Sequence, residues 1–302
     1  MKPALFAYPY VASYSTMMLI GFVAGWWLAR RRAPLFGIAP KHLDNLGLLL
    51  PVAGLFGARF FARLFYAKVS FVEALKFWKG DGLVYYGGFL FCIAAILIYG
   101  AVRRLNLLKL CDCLAPSAAL GLALGRVGCF LGGCCWGDLC VDIATLAKVE
   151  PNVVRQIHTI PAISRPAWVA AVRFPPKSEP FKQQVKLGLI RSNARTSLPV
   201  HPVQLYETVL AGAMAWMLHW RFKGNDLPGS ASLRLLMGYA VIRFLMEYLR
   251  ADNQPYGFGL TISQVISVEI LLFCGVAMVV RRVFRRKDET RPVVGETQPV
   301  LS

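Results

Sequence analysis

Seven blocks of predominantly apolar residues recur along the chain, at roughly 11–30, 43–65, 83–101, 110–136, 203–220, 231–249 and 260–280, each close to the about 20 residues that cross a hydrocarbon core. None alternates apolar and polar positions as a strand does. Each block therefore predicts a helix, the form that pairs every backbone N–H and C=O within its own segment. Of the 302 residues 56% are hydrophobic, more than one soluble core needs, and the blocks hold the excess. The pattern predicts an all-α polytopic membrane protein with seven transmembrane helices. Residues 1–136 hold helices one to four, 137–202 a small head outside the membrane, 203–280 helices five to seven, and 281–302 a basic, disordered cytoplasmic tail. The first block lacks a basic lead-in and ends in "ARRRAP" rather than a small-residue cleavage site, so it reads as an anchor.

Charge gives these helices a direction. The formal net charge is +18, and its placement decides between a nucleic-acid partner and a membrane. Arg30, Arg31, Arg32 and Lys41 follow block one, and Arg103, Arg104 and Lys109 follow block three. Arg221 and Lys223 follow block five, and Arg281, Arg282, Arg285, Arg286 and Lys287 follow block seven. Every second connection is basic, as the positive-inside rule demands of cytoplasmic loops, so the N-terminus is expected outside and the C-terminus inside, with no nucleic-acid partner. The connection over 137–202 is also basic, but loops of that length cross largely regardless of charge.

That orientation gathers polar residues into the outer leaflet. Arg126, in "LALGRVGCFLGGCCWGDLC", lies about ten residues before the end of its block, where snorkelling to the interface is hard. "GLVYYGG" opens block three with Tyr85, Tyr86, Gly87 and Gly88, and "HPVQLYE" opens block five with His201, Pro202 and Gln204. Block six carries Tyr239, Arg243, Glu247 and Arg250 on one helix face. Tyr14 lies near the start of block one, and Arg59 and Arg63 near the outer end of block two. Singly, each has a structural reading: an i,i+4 ion pair for Arg243 and Glu247, snorkelling for Arg250, Arg59 and Arg63, close helix packing for the glycines, capping for His201, an aromatic belt for Tyr85 and Tyr86. Together they imply a shared, partly wet cavity, because a charge at a helix centre costs about 2.5–3.5 kcal/mol on insertion.

Read in order, "SYSTMMLIGFVAG", "GLVYYGG", "CDCLAPSAALGLALGRVGCF", "HPVQLYE", "GYAVIRFLMEYLRADNQ" and "LTISQ" resemble the prolipoprotein diacylglyceryl transferases, with the weakest similarity from about 137 to 198. The resemblance implies a bacterial inner-membrane enzyme. Such an enzyme moves diacylglyceryl from phosphatidylglycerol to the lipobox cysteine thiol of a preprolipoprotein signal peptide, forming a thioether and releasing glycerol phosphate. It implies Arg126 and Arg243 against the lipid phosphate, Glu247 orienting Arg243, and Arg250 adding positive potential at the mouth. Phosphatidylglycerol is expected against Arg126, Cys129, Gly87, Gly88, Tyr14, Tyr239, Arg250 and Gln204. Tyr86 stands where members of the family carry a histidine before Gly-Gly, and His201 is a second candidate to take the thiol proton. Cys129 replaces an asparagine in "GRVGCF", similar to a cysteine-containing branch of the family. A non-catalytic phospholipid-binding relative and a membrane thiol oxidoreductase are the alternative readings.

Eight cysteines complete the candidate chemistry. Cys92, Cys111, Cys113 and Cys274 fall within or toward the cytoplasmic half of the blocks and read as small buried hydrophobes. Cys129, Cys134, Cys135 and Cys140 lie outward, at spacings of five, one and five, which is not the C-x-x-C of a zinc or thioredoxin-like site. Packing, a structural disulfide and a redox or metal role are the readings open for them. No soluble cofactor is expected, since the sequence has neither a Walker loop nor a dinucleotide fingerprint. Within the head, "AWVAAVRFPP" reads as a strand-like run.

Overall fold

Each apolar block folds as a helix in the computed structural model, which describes residues 13–67, 69–76, 82–140, 171–176, 178–250 and 259–289, the side chains of 282–289 excepted. In chain order the long helices are α1 (Ser13–Arg32), α2 (Pro40–Phe61), α3 (Tyr85–Val102), α4 (Leu107–Gly132), α5 (Val203–Arg221), α6 (Ser230–Glu247) and α7 (Ile262–Glu289). Short turns at Phe71–Ala74 and Glu179–Lys186 lie outside this set. α2 runs on through a π-helical turn, Ala62–Tyr66. Four segments are long and apolar enough to cross a membrane by length and composition: Pro40–Tyr66, Tyr85–Val102, Leu107–Gly132 and Ile262–Arg281. α1, α5 and α6 fall below that apolarity, and α5 and α6 do so partly because they carry Glu207, Arg243 and Glu247.

Local chemistry sets the helix ends. α4 begins three residues before the expected block because the Asn106 side chain accepts a hydrogen bond from the Lys109 N–H at 3.1 Å. It ends at Gly133, left-handed at φ +71, whose N–H returns to the carbonyls of Cys129 and Phe130. α7 continues through the basic run to Glu289, so residues 281–289 of the expected tail are helical. Lysines and arginines at a helix C-terminus complement its dipole. Residues 290–302 lie outside the described residues.

α4 is the hub, packed against α1, α5 and α6, while α2 pairs with α3 and α6 with α7. Small residues make the closest crossings. Gly21, Gly25 and Ala29 form a buried stripe on α1, and a Cβ on Gly25 would stand 3.2 Å from the Ser117 carbonyl of α4. Gly87 and Gly88 of α3 face the Gly57 and Gly54 carbonyls of α2 closely enough that a Cβ on Gly87 would overlap the backbone. Outside these seams Val52, Ile98, Val209, Trp216, Phe273 and Val276 stay exposed, as an apolar belt facing lipid requires.

Two buried charges lock one end of the helix bundle. The carboxylate of Asp112 accepts from the Gly229 N–H at 2.6 Å and from the N–H and hydroxyl of Ser232 at 2.8 Å, capping α6 from a neighbouring helix. Arg32, expected only as one of the basic flanking residues, is buried; it donates to the His219 carbonyl at 2.9 Å and the Phe222 carbonyl at 2.6 Å, closing the C-terminus of α5.

At the other end, Gly137–Cys140 ties three helices together. The Gly137 N–H donates to the His201 carbonyl at 3.0 Å, the His201 N–H to the Asp138 carbonyl at 2.9 Å, and the Asp138 N–H to the Leu249 carbonyl at 2.7 Å. The exit of α4 is thereby joined to the entry of α5 and the exit of α6. Val172, in the run expected to be strand-like, pairs with Val200 as an isolated bridge. Residues 167–170 of that run lie outside the described residues.

Candidate active site

The C-terminal part of α4, the first turns of α5 and the C-terminal part of α6 bring four charges together. Arg126 of α4 pairs through Nε with Glu207 of α5. Arg243 of α6 places Nη1 3.6 Å from the other oxygen of the same carboxylate. Its Nη2 lies 2.8 Å from Glu247 and donates to the Ser263 hydroxyl at 2.9 Å. The Thr261 hydroxyl donates to Glu247 at 2.6 Å, which fixes the start of α7 to the end of α6. One turn into α5, the Thr208 hydroxyl donates to the Ala123 carbonyl of α4, holding the two helices in register beside the pairs.

Burial within this network is uneven. The carboxylates of Glu207 and Glu247 are 3% and 0% exposed, whereas both guanidinium side chains are 16% exposed. The acids form the back of the site and the arginines its face. A guanidinium has five N–H donors, and Arg126 engages Glu207 through Nε, so its forked end is disposed for a planar anion.

The remaining expected residues divide by location. Tyr14 packs on α4 at Gly128 and Gly132 and lies within electrostatic reach of Arg126 and Cys129. Tyr239 is partly buried beside the α4–α5–α6 core and within reach of Arg126. Arg250 pairs by its backbone with Gly137 just past α6, and its charge reaches Glu207 and Cys135. Gln204 is fully buried and donates to the Cys134 carbonyl at 2.7 Å, pinning the loop after α4 to α5. Gly87 and Gly88 serve the α2–α3 crossing. Tyr86, 69% exposed, lies in the first turn of α3, and its neighbour Tyr85 is in electrostatic reach of Arg126, Tyr239 and Tyr14. His201 is 2% exposed, seated in the seam formed with Gly137 and edge-on to Tyr206. Arg63, expected to snorkel, is instead buried and paired with Glu73 at 3.5 Å.

Glu207, Thr261 and Ser263 join the site without having been singled out from the sequence. The available signal for Glu207 was an acid inside an apolar block, in itself a mark of function in a membrane. The cysteines also converge: Cys129, Cys134 and Cys135 bring their sulfurs within 4.8 Å of one another, and all eight cysteines are free, with none of the outer four joined in the disulfide that was one reading of their spacing.

Known proteins resemble this chain along nearly its whole length. The profile of the family described as prolipoprotein diacylglyceryl transferase matches residues 3–281. A phosphatidylglycerol–prolipoprotein diacylglyceryl transferase of Erwinia tasmaniensis is 30% identical over 288 residues, covering 92% of this chain and 90% of the relative. Proteins of the same name from Photorhabdus laumondii and Pectobacterium carotovorum are 30% and 31% identical, each covering 88% of this chain and 87% and 88% of their own lengths.

Proposed function

The chain belongs to the prolipoprotein diacylglyceryl transferase family, and on that premise we propose that its arginine cluster binds the phosphate of phosphatidylglycerol during transfer of diacylglyceryl to the lipobox cysteine of a preprolipoprotein signal peptide. The observation that carries the reading is the meeting of Arg126 and Arg243, from two helices, on one buried carboxylate. The acceptor sulfur attacks the glycerol carbon that bears the phosphodiester oxygen. A C–S bond forms, the C–O bond breaks, and its electron pair leaves on glycerol phosphate. Charge grows on that phosphate in the transition state, and preorganised guanidinium donors in a water-poor site stabilise it where it develops. Glu207 and Glu247 hold the two arginines in place, and Arg250 adds positive potential at the rim.

A cysteine thiol is mostly protonated at neutral pH, so the reaction also needs a proton acceptor. Tyr86, at the outer start of α3, and His201, at the outer start of α5, are the two groups proposed for it. The full reading has seven spans, the N-terminus outside, and the site in the periplasmic leaflet beneath the 137–202 head; the basic flanks of alternate connections support it.

The test is thioether formation on a lipobox peptide in phosphatidylglycerol membranes. Arg126→Ala and Arg243→Ala are each expected to lower turnover at least about 100-fold, the scale for losing one charge-stabilising donor. Normal turnover in both variants overturns the reading. Tyr86→Phe and His201→Ala, run beside them, identify the proton acceptor by which one loses turnover.

A further inference from the structure

None of the bond-making steps proposed for the transfer runs through Cys129, Cys134 or Cys135. α4 stops at Gly133 in the left-handed conformation, and Cys135, two residues on, is left-handed as well at φ +57. That conformation is disfavoured for a residue with a Cβ, and here it folds the chain back over the last turn of α4. The Gln204 side chain holds the fold-back by its bond to the Cys134 carbonyl. Three sulfurs, from Cys129, Cys134 and Cys135, consequently surround one point within 4.8 Å of each other, all partly exposed. Three thiolates at about 2.3 Å from a common ion in a trigonal plane stand about 4.0 Å apart, so small rotations of the side chains complete the set.

We propose that Cys129, Cys134 and Cys135 form a three-thiolate binding site for a closed-shell thiophilic cation, copper(I) in the first instance. Soft thiolate ligands select copper(I), and three ligands with no fourth His, Cys or acid among the described residues suit its low coordination number better than the four of structural zinc. As each S–Cu bond forms, the thiol gives its proton to solvent. Three thiolates around one monovalent cation carry two net negative charges, and Arg126 and Arg250 lie close enough to act electrostatically on Cys135 and offset them. A disulfide would use two of the sulfurs, strand the third and require an oxidant; a cation uses all three. The ligands are the three cysteines; Arg126 and Arg250 are shared with the proposed lipid site, and copper(I) binding read without lipid separates the two readings.

The test uses the full chain, purified in detergent and reduced under anaerobic conditions, titrated with copper(I) against a competing chromophoric chelator. One equivalent is expected to bind, with a thiolate-to-copper charge-transfer band, and mass mapping after alkylation should find Cys129, Cys134 and Cys135 protected. Cys129→Ser, Cys134→Ser and Cys135→Ser should each weaken binding at least about 10-fold, a conservative bound for a lost ligand, while Cys140→Ser keeps it. Absence of the band, an affinity unchanged by Cys135→Ser, or protection falling on other cysteines overturns the proposal. If a serine variant fails to fold, the protection map of the unaltered chain decides. A parallel zinc titration that alone saturates the three thiols would overturn the choice of copper(I).

Discussion

Glu207 is the residue on which both arginines depend. It is 3% exposed and lies between Arg126 and Arg243, so neutralising it strips Arg126 of its carboxylate and leaves Glu247, paired with Arg243, as the remaining acid for two partly buried cations. Removing one partner of a buried ion pair costs about 3–5 kcal/mol. Glu207→Gln is therefore expected to lower the unfolding temperature in detergent and cut thioether formation at least as far as Arg126→Ala does. The double variant Glu207→Gln/Arg126→Ala should lose less than the sum of the two singles, because it removes both charges of one pair. Additive losses would show that the pair is not an energetic unit. The arginines were legible in the sequence because a guanidinium in mid-membrane has few structural excuses. Glu207 was not, since a sequence does not say which face of α5 meets α4. Thr261 and Ser263 were hidden for the same reason, as their role exists only once α7 packs on α6.

At the scale of elements, the position of Arg243 and Glu247 depends on how α6 is seated, and its first turn is held by Asp112 of α4 through three hydrogen bonds. Asp112→Ala leaves the Gly229 and Ser232 N–H groups without their acceptor in a buried place. The expected loss is about 2 kcal/mol of stability, read as a lower unfolding temperature, with a smaller fall in turnover than any change at Arg243 itself. An unchanged melting temperature would mean that α6 is held by its packing alone. The helices themselves were readable: each of the seven apolar blocks overlaps one helix, with ends displaced by a few residues by caps such as Asn106 and Gly133. The crossings were not. Glycines at 87 and 88 advertise a close approach without naming Gly57 and Gly54 as what they approach. The fold-back after Gly133 depends on Cys135 taking a conformation that no cysteine signals in advance.

For the whole molecule, the proposed orientation places the basic end of α7 in the cytoplasm. A fluorescent protein fused after Arg281 is expected to fluoresce, and an exported phosphatase fused at the same point to stay inactive; the reverse pattern would invert the topology. Apolar content alone identifies four membrane-length segments, and the charged residues that lower the apolarity of α5 and α6 include those of the site. The seven-helix pattern was thus visible mainly through periodicity and basic flanks, and the function through a few short motifs. The sealed acids stand behind arginines that are only slightly exposed. Each cation already owns a permanent counter-ion, so an empty enzyme has no electrostatic debt to settle by trapping stray phosphate. On the proposed function, a departing product leaves behind a neutralised resting state, and the next lipid would enter by exchanging contacts rather than by rescuing an unpaired charge.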